Sequence, residues 1–209
     1  MPKIRLFENA EIREHLDQLI GAVSRGEVYR QSAVMDFRDW LRERGLYRTG
    51  DGPEDDLCNS DRIRLIFEVN VLLRMGYDRA VSERDPVSLD LYPAQELVAM
   101  GEEIGDWPRR WSGAGGRSFD GRMIALKTAT VWKRISAFDL PYAPFDVLDA
   151  MNTISISRDE AVRLGLCSGD QRVKSGDVNP PWQIYFFEAM PARLTRRGAR
   201  NLRRFMTGE

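Results

Sequence analysis

Apolar positions recur every three or four residues along the first part of the chain, which is the period of an amphipathic helix. The pattern predicts helices over residues 8–25 and 29–45, and a longer helix that runs to about residue 81. Ser60 or Asp61 can cap this third helix, because a side-chain oxygen there accepts hydrogen bonds from free N–H groups of the first turn. Pro93 indicates the start of a further helix, since proline is well tolerated in a first turn.

Short apolar runs replace the helical pattern in the second half of the chain. They predict strands over residues 122–127, 152–156 and 182–187. A capping box follows the second of these runs: Ser157 precedes Glu160 by three residues, so that each side chain can bond the other's backbone N–H.

Helices followed by a few strands are typical of an α+β fold. We predict a helical N-terminal half that leads into a small mixed or antiparallel sheet with flanking helices. The expected domains are a helical region over residues 1–57 and an α+β core over residues 58–209, which ends in a basic helix.

The basic helix carries six arginines that recur every three or four residues, and such a spacing places them on one helix face. They are Arg193, Arg196, Arg197, Arg200, Arg203 and Arg204. This face is a candidate for binding a partner surface or DNA phosphates. A solvated helix face without a partner is the alternative.

Charge and length limit the class of protein. The 209 residues contain 31 basic and 32 acidic side chains, so no overall field attracts the chain to nucleic acid. No apolar run has the length of a signal peptide or of a membrane-spanning helix, and we therefore expect a protein made and kept in a cytosol.

The residues that most often carry catalysis or bind metals are scarce. His15 is the single histidine, and it is expected to be an exposed residue on a charged helix. Cys58 and Cys167 are isolated and read as ordinary thiols. We therefore expect no metal site and no cofactor, and the common histidine-dependent mechanisms have only one residue to use.

The stretch SAFDLPYAPFD, residues 136–146, combines two prolines with three aromatic side chains. We call it the clasp. Proline fixes the backbone and removes an N–H donor, so that the aromatic side chains can pack at low entropic cost. A structural role is predicted for its second half, which consists of Pro141, Tyr142, Pro144, Phe145 and Asp146.

Asn70 is added to this structural set, because it lies on the apolar face of the third predicted helix. A polar amide in such a place must find hydrogen-bond partners. We predict that Asn70 is buried and bonded to the backbone of a neighbouring loop.

Six segments of the chain occur in a familiar order: RIRLIFEVNV, LYPAQELV, DWPRRWSGAGG, GRMIALK, PYAPFD and RDEAVRLGL. In this order they resemble the minor head proteins of tailed phages, the Mu F-like head morphogenesis family. The resemblance covers roughly residues 30–166. The chain departs from the family after the clasp, where VLDAM replaces a glycine turn, and we therefore expect a compact, divergent member.

The resemblance implies a virion assembly protein without enzymatic activity. Its expected partners are portal or capsid proteins and, through the arginine face, packaged DNA; no membrane and no small-molecule substrate are expected. The expected location is the virion or a phage-derived particle, and the host cytoplasm during assembly.

Two alternatives remain open. Some related head proteins are fused to ADP-ribosyltransferase domains, and the nearest pieces of such a site are Ser155-Ile156-Ser157 and Glu102-Glu103, although their spacing does not match a Glu-x-Glu pair. A small DNA-binding regulator that uses the C-terminal arginines is the other. The balanced charge and the lack of a helix-turn-helix pattern count against it.

Overall fold

The computed structural model of this chain describes residues 10–45, 60–101, 105–147, 149–176 and 178. Among these residues, no helix is long and apolar enough to cross a membrane. The predicted strand over residues 182–187 and the basic C-terminal helix lie outside the described residues.

Three helices form the first part of the fold: α1 (Ala10–Ser24), α2 (Arg30–Glu43) and α3 (Ser60–Glu83). They confirm the three helices expected from the apolar period, with ends that differ by about two residues. Their shared core contains ten buried residues, namely Ile12, Leu16, Ile20, Ala33, Phe37, Leu41, Ile63, Ile66, Phe67 and Val71.

Helix α3 is apolar on two sides. Ile63 and Phe67 face α1 and α2, whereas Leu65, Val69 and Leu73 belong to a second buried cluster that contains residues of the clasp. A helix that is buried on two sides contributes to two cores at once. The proposed division of the chain at residue 57 stays a prediction, and α3 is the element that both parts share.

Short elements build the rest of the fold. They are, in chain order, α4 (Pro86–Leu91), β1 (Ala94–Ala99), α5 (Trp107–Gly113), β2 (Ser118–Phe119), β3 (Arg122–Leu126), α6 (Val131–Ile135), β4 (Met151–Ile156) and α7 (Arg158–Arg163). The strands form one antiparallel sheet in the order β2-β3-β1-β4. The α+β class is thereby confirmed.

The helix expected to begin at Pro93 is wrong, because β1 occupies that segment and is an inner strand of the sheet. Leu97 lies opposite Met123 of β3 and Thr153 of β4. Proline has no N–H, so it is also tolerated just before a strand begins. This segment is a strand because it pairs on both sides with strands that are distant in the sequence. No local sequence signal reveals such pairing.

The sheet buries both of its faces. Leu97, Met123 and Met151 point to a cluster built around three tryptophans, whereas Ala94, Ile124 and Ile156 point to the side of α7. The period of two residues along each strand produces this alternation. Phe145 of the clasp belongs to the first of these clusters.

Two local predictions can be compared with the structure directly. Ser157 is the N-cap of α7, and its side chain accepts a hydrogen bond from the backbone N–H of Glu160, which is one of the two bonds of the predicted capping box. The exposed position expected for His15 is wrong, because its ring stacks on Trp40 at a centroid distance of 4.6 Å. Burial, followed by the charge of Arg44, lowers the pKa of His15.

Gly76 on α3 tests how closely this helix approaches the clasp. A Cβ atom placed there would collide with the backbone carbonyl oxygen of Ala143, which cannot turn away as a flexible side chain would. We expect Gly76→Ala to lower the free energy of unfolding by about 1–3 kcal/mol, as overpacking does.

Gly113→Ala is the matched control, since a Cβ atom at this helical position meets nothing within 4 Å. Alanine should leave stability unchanged or raise it by up to about 1 kcal/mol there. Urea denaturation of both variants checks the prediction. Equal effects of the two substitutions would contradict the close contact between α3 and the clasp.

Candidate functional site

The clasp is a closed loop between α6 and the sheet. The N–H of Ala137 donates to the carbonyl oxygen of Phe145 across its base, at 2.7 Å. Ser136 Oγ accepts hydrogen bonds from the N–H groups of Phe138 and Leu140, at 3.1 and 3.3 Å. These bonds satisfy backbone groups that no helix or strand pairs, and they fix the course of the loop.

Phe145 is the buried end of the clasp. Its ring is fully buried and stacks on Trp132 at a centroid distance of 5.8 Å. The ring of Trp107 contacts it edge-on at a centroid distance of 6.4 Å. Trp111 in turn lies 5.0 Å from Trp132. The geometry agrees with the structural role predicted for this residue.

Asp146 follows directly and is also fully buried. Its Oδ2 atom accepts a hydrogen bond from Arg110 Nη1 at 2.9 Å, and its Oδ1 atom accepts one from the N–H of Val147 at 2.8 Å. This ion pair links the clasp to α5. A buried carboxylate needs such partners, because its desolvation costs several kcal/mol.

The middle of the clasp lies against α3. Tyr142 is buried, and the centroid of its ring lies 6.1 Å from that of Tyr77. Burial raises the pKa of the Tyr142 hydroxyl. The carbonyl oxygen of Pro141 accepts a hydrogen bond from Arg84 at 3.0 Å, and the Ala143–Pro144 peptide bond is cis. These are packing contacts and hydrogen bonds to backbone.

Asn70 is bonded to backbone, as predicted, but its burial and its acceptor differ from the prediction. It is half-buried, and its Nδ2 atom donates to the carbonyl oxygen of Ile66 in its own helix at 2.8 Å. No loop is the acceptor. An amide that bonds the carbonyl one turn back satisfies itself locally, which is why it can lie beside an apolar face.

A groove of about 370 Å³ lies where the last three turns of α3, the clasp and β4 meet. Its walls are mostly apolar, with Leu72, Met75, Ala80, Pro141, Tyr142, Pro144 and Met151 among its lining residues. Its charged residues are Arg79, Glu83, Arg84, Lys127 and Asp149. A concave, apolar space with a few convergent charged groups is typical of a binding site.

The cations of the groove are deeply placed. Lys127 is 2% exposed, and its Nζ lies 3.3 Å from a carboxylate oxygen of Glu83. Arg79 Nε contacts the other oxygen of Glu83 at 2.6 Å, so that one carboxylate serves two cations. Burial lowers the pKa of Lys127.

Arg84 is 6% exposed, and its Nη2 atom donates to the carbonyl oxygens of Lys127 at 2.8 Å and Pro141 at 3.0 Å. Within the described ranges, no carboxylate forms an ion pair with it. Burial lowers its pKa as well. Because its hydrogen bonds go to neutral carbonyl oxygens, Arg84 places a positive charge beside the groove without a bonded carboxylate among the described residues.

Side chains also cover part of the open edge of β4. Arg79 donates to the carbonyl oxygen of Thr153 at 2.9 Å and to Asn152 Oδ1 at 3.1 Å. The same Oδ1 atom accepts from the N–H of Thr153 at 2.8 Å. Exposed strand edges invite pairing with other chains, and these bonds occupy the backbone groups of Thr153.

Asp149 lies at the junction of the clasp and the groove. Its Oδ2 atom accepts from the N–H of Phe145 at 3.2 Å, and N–H groups of Asp146 and Met151 also bond the carboxylate. Its buried Oδ1 atom has no hydrogen-bond partner in the described part of the chain. Burial, followed by the nearby charge of Asp146, raises the pKa of Asp149 to about 7.

Sequence reasoning did not identify the charged groove. One signal was present: Lys127 follows Met123 and Ala125 at a spacing of two residues, so the strand period places it on the buried face. The pairing of Glu83 with Lys127 could not be foreseen, because the contact joins residues far apart in the chain.

The other candidate residues are not brought together here. The six C-terminal arginines, Glu102-Glu103 and Cys58 lie outside the described residues. Ser155 is exposed on β4, and Ser157 caps α7. Cys167 is a buried free thiol.

No group of three or more histidine, cysteine or acidic side chains in the described ranges could hold a metal ion. Comparison with known protein families, with curated proteins and with solved structures finds no match to this chain.

The raised pKa of Asp149 predicts a dependence of stability on pH. The folded chain holds the proton more tightly than the unfolded chain, in which the pKa is near 3.8. Its stabilising contribution is therefore complete below that pH and is lost as the pH rises through about 7. Asp149→Asn cannot titrate, so its free energy of unfolding relative to that of the natural chain should rise by about 2.5 kcal/mol between roughly pH 5 and pH 8.

Urea denaturation of both proteins at several pH values measures this difference, and the other titrating groups cancel in the comparison. The asparagine side chain keeps one oxygen that can accept from the N–H of Phe145. Its NH₂ group takes the position of Oδ1, which accepts no hydrogen bond in the described part of the natural chain. A stability difference that stays constant with pH would show that Asp149 does not titrate in this range.

Proposed function

We propose that this chain is a non-enzymatic assembly protein of a tailed-phage head, a divergent relative of the Mu F-like minor head proteins. The proposal rests on the six segments that resemble that family and on where their residues lie in the fold.

Each of the six segments supplies buried residues to the clasp-side half of the molecule. In chain order, examples are Leu65, Ala94, Trp107, Met123, Phe145 and Ala161. The resemblance therefore follows the residues that pack the fold, which is the observation that carries the proposal. Residues that fill a core are expected to keep their type and order when surfaces diverge.

The contacts of the clasp are internal to the fold, which supports a structural role for this region in the proposed assembly protein. Phe145 packs on tryptophans, and Asp146 is bonded by Arg110 and by the N–H of Val147. No observation in the described residues favours the ADP-ribosyltransferase or the regulator as a second function.

The proposed partners are portal or capsid subunits, and the six C-terminal arginines are the proposed contact to an acidic subunit surface or to packaged DNA. Like charges on one face repel one another, and an anionic surface relieves that repulsion. Contact with DNA would weaken steeply with salt, since each neutralised phosphate releases counterions.

Incorporation into particles tests the proposal. An epitope-tagged chain, produced during growth of the phage that encodes it, should co-purify with heads in a few copies. Changing Arg196, Arg197, Arg200 and Arg203 to Gln should lower incorporation at least severalfold, because the anionic surface loses most of its partner charges.

A matched control changes four exposed cations outside that face, Arg109, Arg163, Arg172 and Lys174, to Gln and alters the net charge equally. This control should be incorporated normally. A natural chain that is absent from both procapsids and mature heads would contradict the assembly role. A normal level of the arginine variant would contradict only the role of the arginine face.

A further inference from the structure

We propose that the groove between α3, the clasp and β4 binds a single carboxylate carried on a short apolar body. This inference does not depend on the assembly role, since it uses only the charges, the volume and the walls of the groove.

The charge of the groove is the first argument. Three cations and two carboxylates line it, so one positive charge is left over even when Glu83 and Asp149 are both ionised. Glu83 is shared between Arg79 and Lys127, and Arg84 has no acidic partner among the described residues. A ligand with one negative charge balances this excess.

The depth of these cations is the second argument. Lys127 and Arg84 are almost completely buried, and removing a cation from water is costly unless an anion compensates for it. Lys127 Nζ has three donors, and its ion pair within the described ranges, to Glu83, is a long contact of 3.3 Å. A ligand carboxylate at this position would form charge-assisted hydrogen bonds, which are among the stronger ones in proteins.

The walls decide which kind of anion fits. Leu72, Met75, Tyr142, Pro144 and Met151 offer apolar surface, which favours a ligand with an apolar body. A phosphate group would lose more hydration than a carboxylate on entering these apolar walls. A volume of about 370 Å³ suits a ligand of roughly the size of one or two amino-acid residues.

The direct test is a titration of the ¹⁵N-labelled full chain, followed by NMR shifts, with hexanoate and with hexanol. Hexanol has the same apolar body and no charge. We expect hexanoate to shift amides around Ala80, Lys127 and Thr153 and to bind at least about tenfold more tightly than hexanol, because charge-assisted bonds form only with the acid. Equal affinities, or no shifts at these positions, would overturn the proposal.

Two sources could supply this chemistry, a free carboxylic acid or an acidic side chain of a polypeptide. The capped dipeptide acetyl-Leu-Asp-amide, with acetyl-Leu-Asn-amide as its neutral partner, separates them. Tighter binding of the aspartyl peptide than of hexanoate assigns the groove to a polypeptide, and the reverse order assigns it to a free acid. Either order supports the proposal, provided that the neutral partner binds at least about tenfold more weakly.

Met75 offers variants that leave the fold intact, because it is 49% exposed on α3 and lines the groove. Glu, Gln and Lys are all good helix formers at such a position. Hexanoate affinity should rise from Met75→Glu through Met75→Gln to Met75→Lys, by about two- to fivefold at each step, as expected for exposed charges. Hexanol should not follow this order. The same hexanoate affinity in all three variants would show that the charge of the groove does not select the ligand.

Lys127→Met is the second variant. It should reduce hexanoate affinity by about tenfold or more and leave hexanol binding unchanged. The thermal unfolding curve shows whether this variant is folded, and the Met75 series decides the question if it is not. A folded Lys127→Met protein that binds hexanoate normally would overturn the role of this lysine and with it the proposal.

Discussion

The packing of Phe145 against Trp107 and Trp132 is the contact on which the arrangement of the clasp, the sheet and α3 depends. Its backbone is held on both sides, since its carbonyl oxygen accepts from Ala137 and its N–H donates to Asp149. The aromatic ring therefore cannot leave the core unless the base of the clasp opens. Burial of a large aromatic side chain stabilises a fold by several kcal/mol, a substantial part of the total stability of a domain.

This anchored end of the clasp determines where the groove lies. The clasp turns from Phe145 back to Gly76, where the absence of a side chain permits contact with α3. Arg84, which follows that helix, donates to the clasp at Pro141 and to Lys127, the residue after β3. The charged residues of the groove thus also hold three elements together, and their excess charge faces the space between them. A ligand in this space would contact side chains that both hold these elements together and supply the positive charge.

The sequence predicts those parts of the fold that depend on local signals. The period of α1 to α3 and the cap at Ser157 are of this kind, and the structure confirms them. Strand β1 could not be predicted, because partners on both sides determine it and Pro93 suits either a first helical turn or the residue before a strand. The strand period could have placed Lys127 on the buried face, yet its partner Glu83 lies on a helix far away in the sequence. The assembly role rests on the resemblance and stays a prediction.

The free energy of unfolding of Phe145→Ala, measured in urea, tests the central claim most directly. Tyr92→Ala is the control, since Tyr92 is a large aromatic residue that is 45% exposed. The account predicts a loss of about 3–5 kcal/mol for Phe145→Ala and of less than about 1 kcal/mol for the control. A Phe145→Ala protein whose stability lies as close to the natural chain as that of the control would contradict the account.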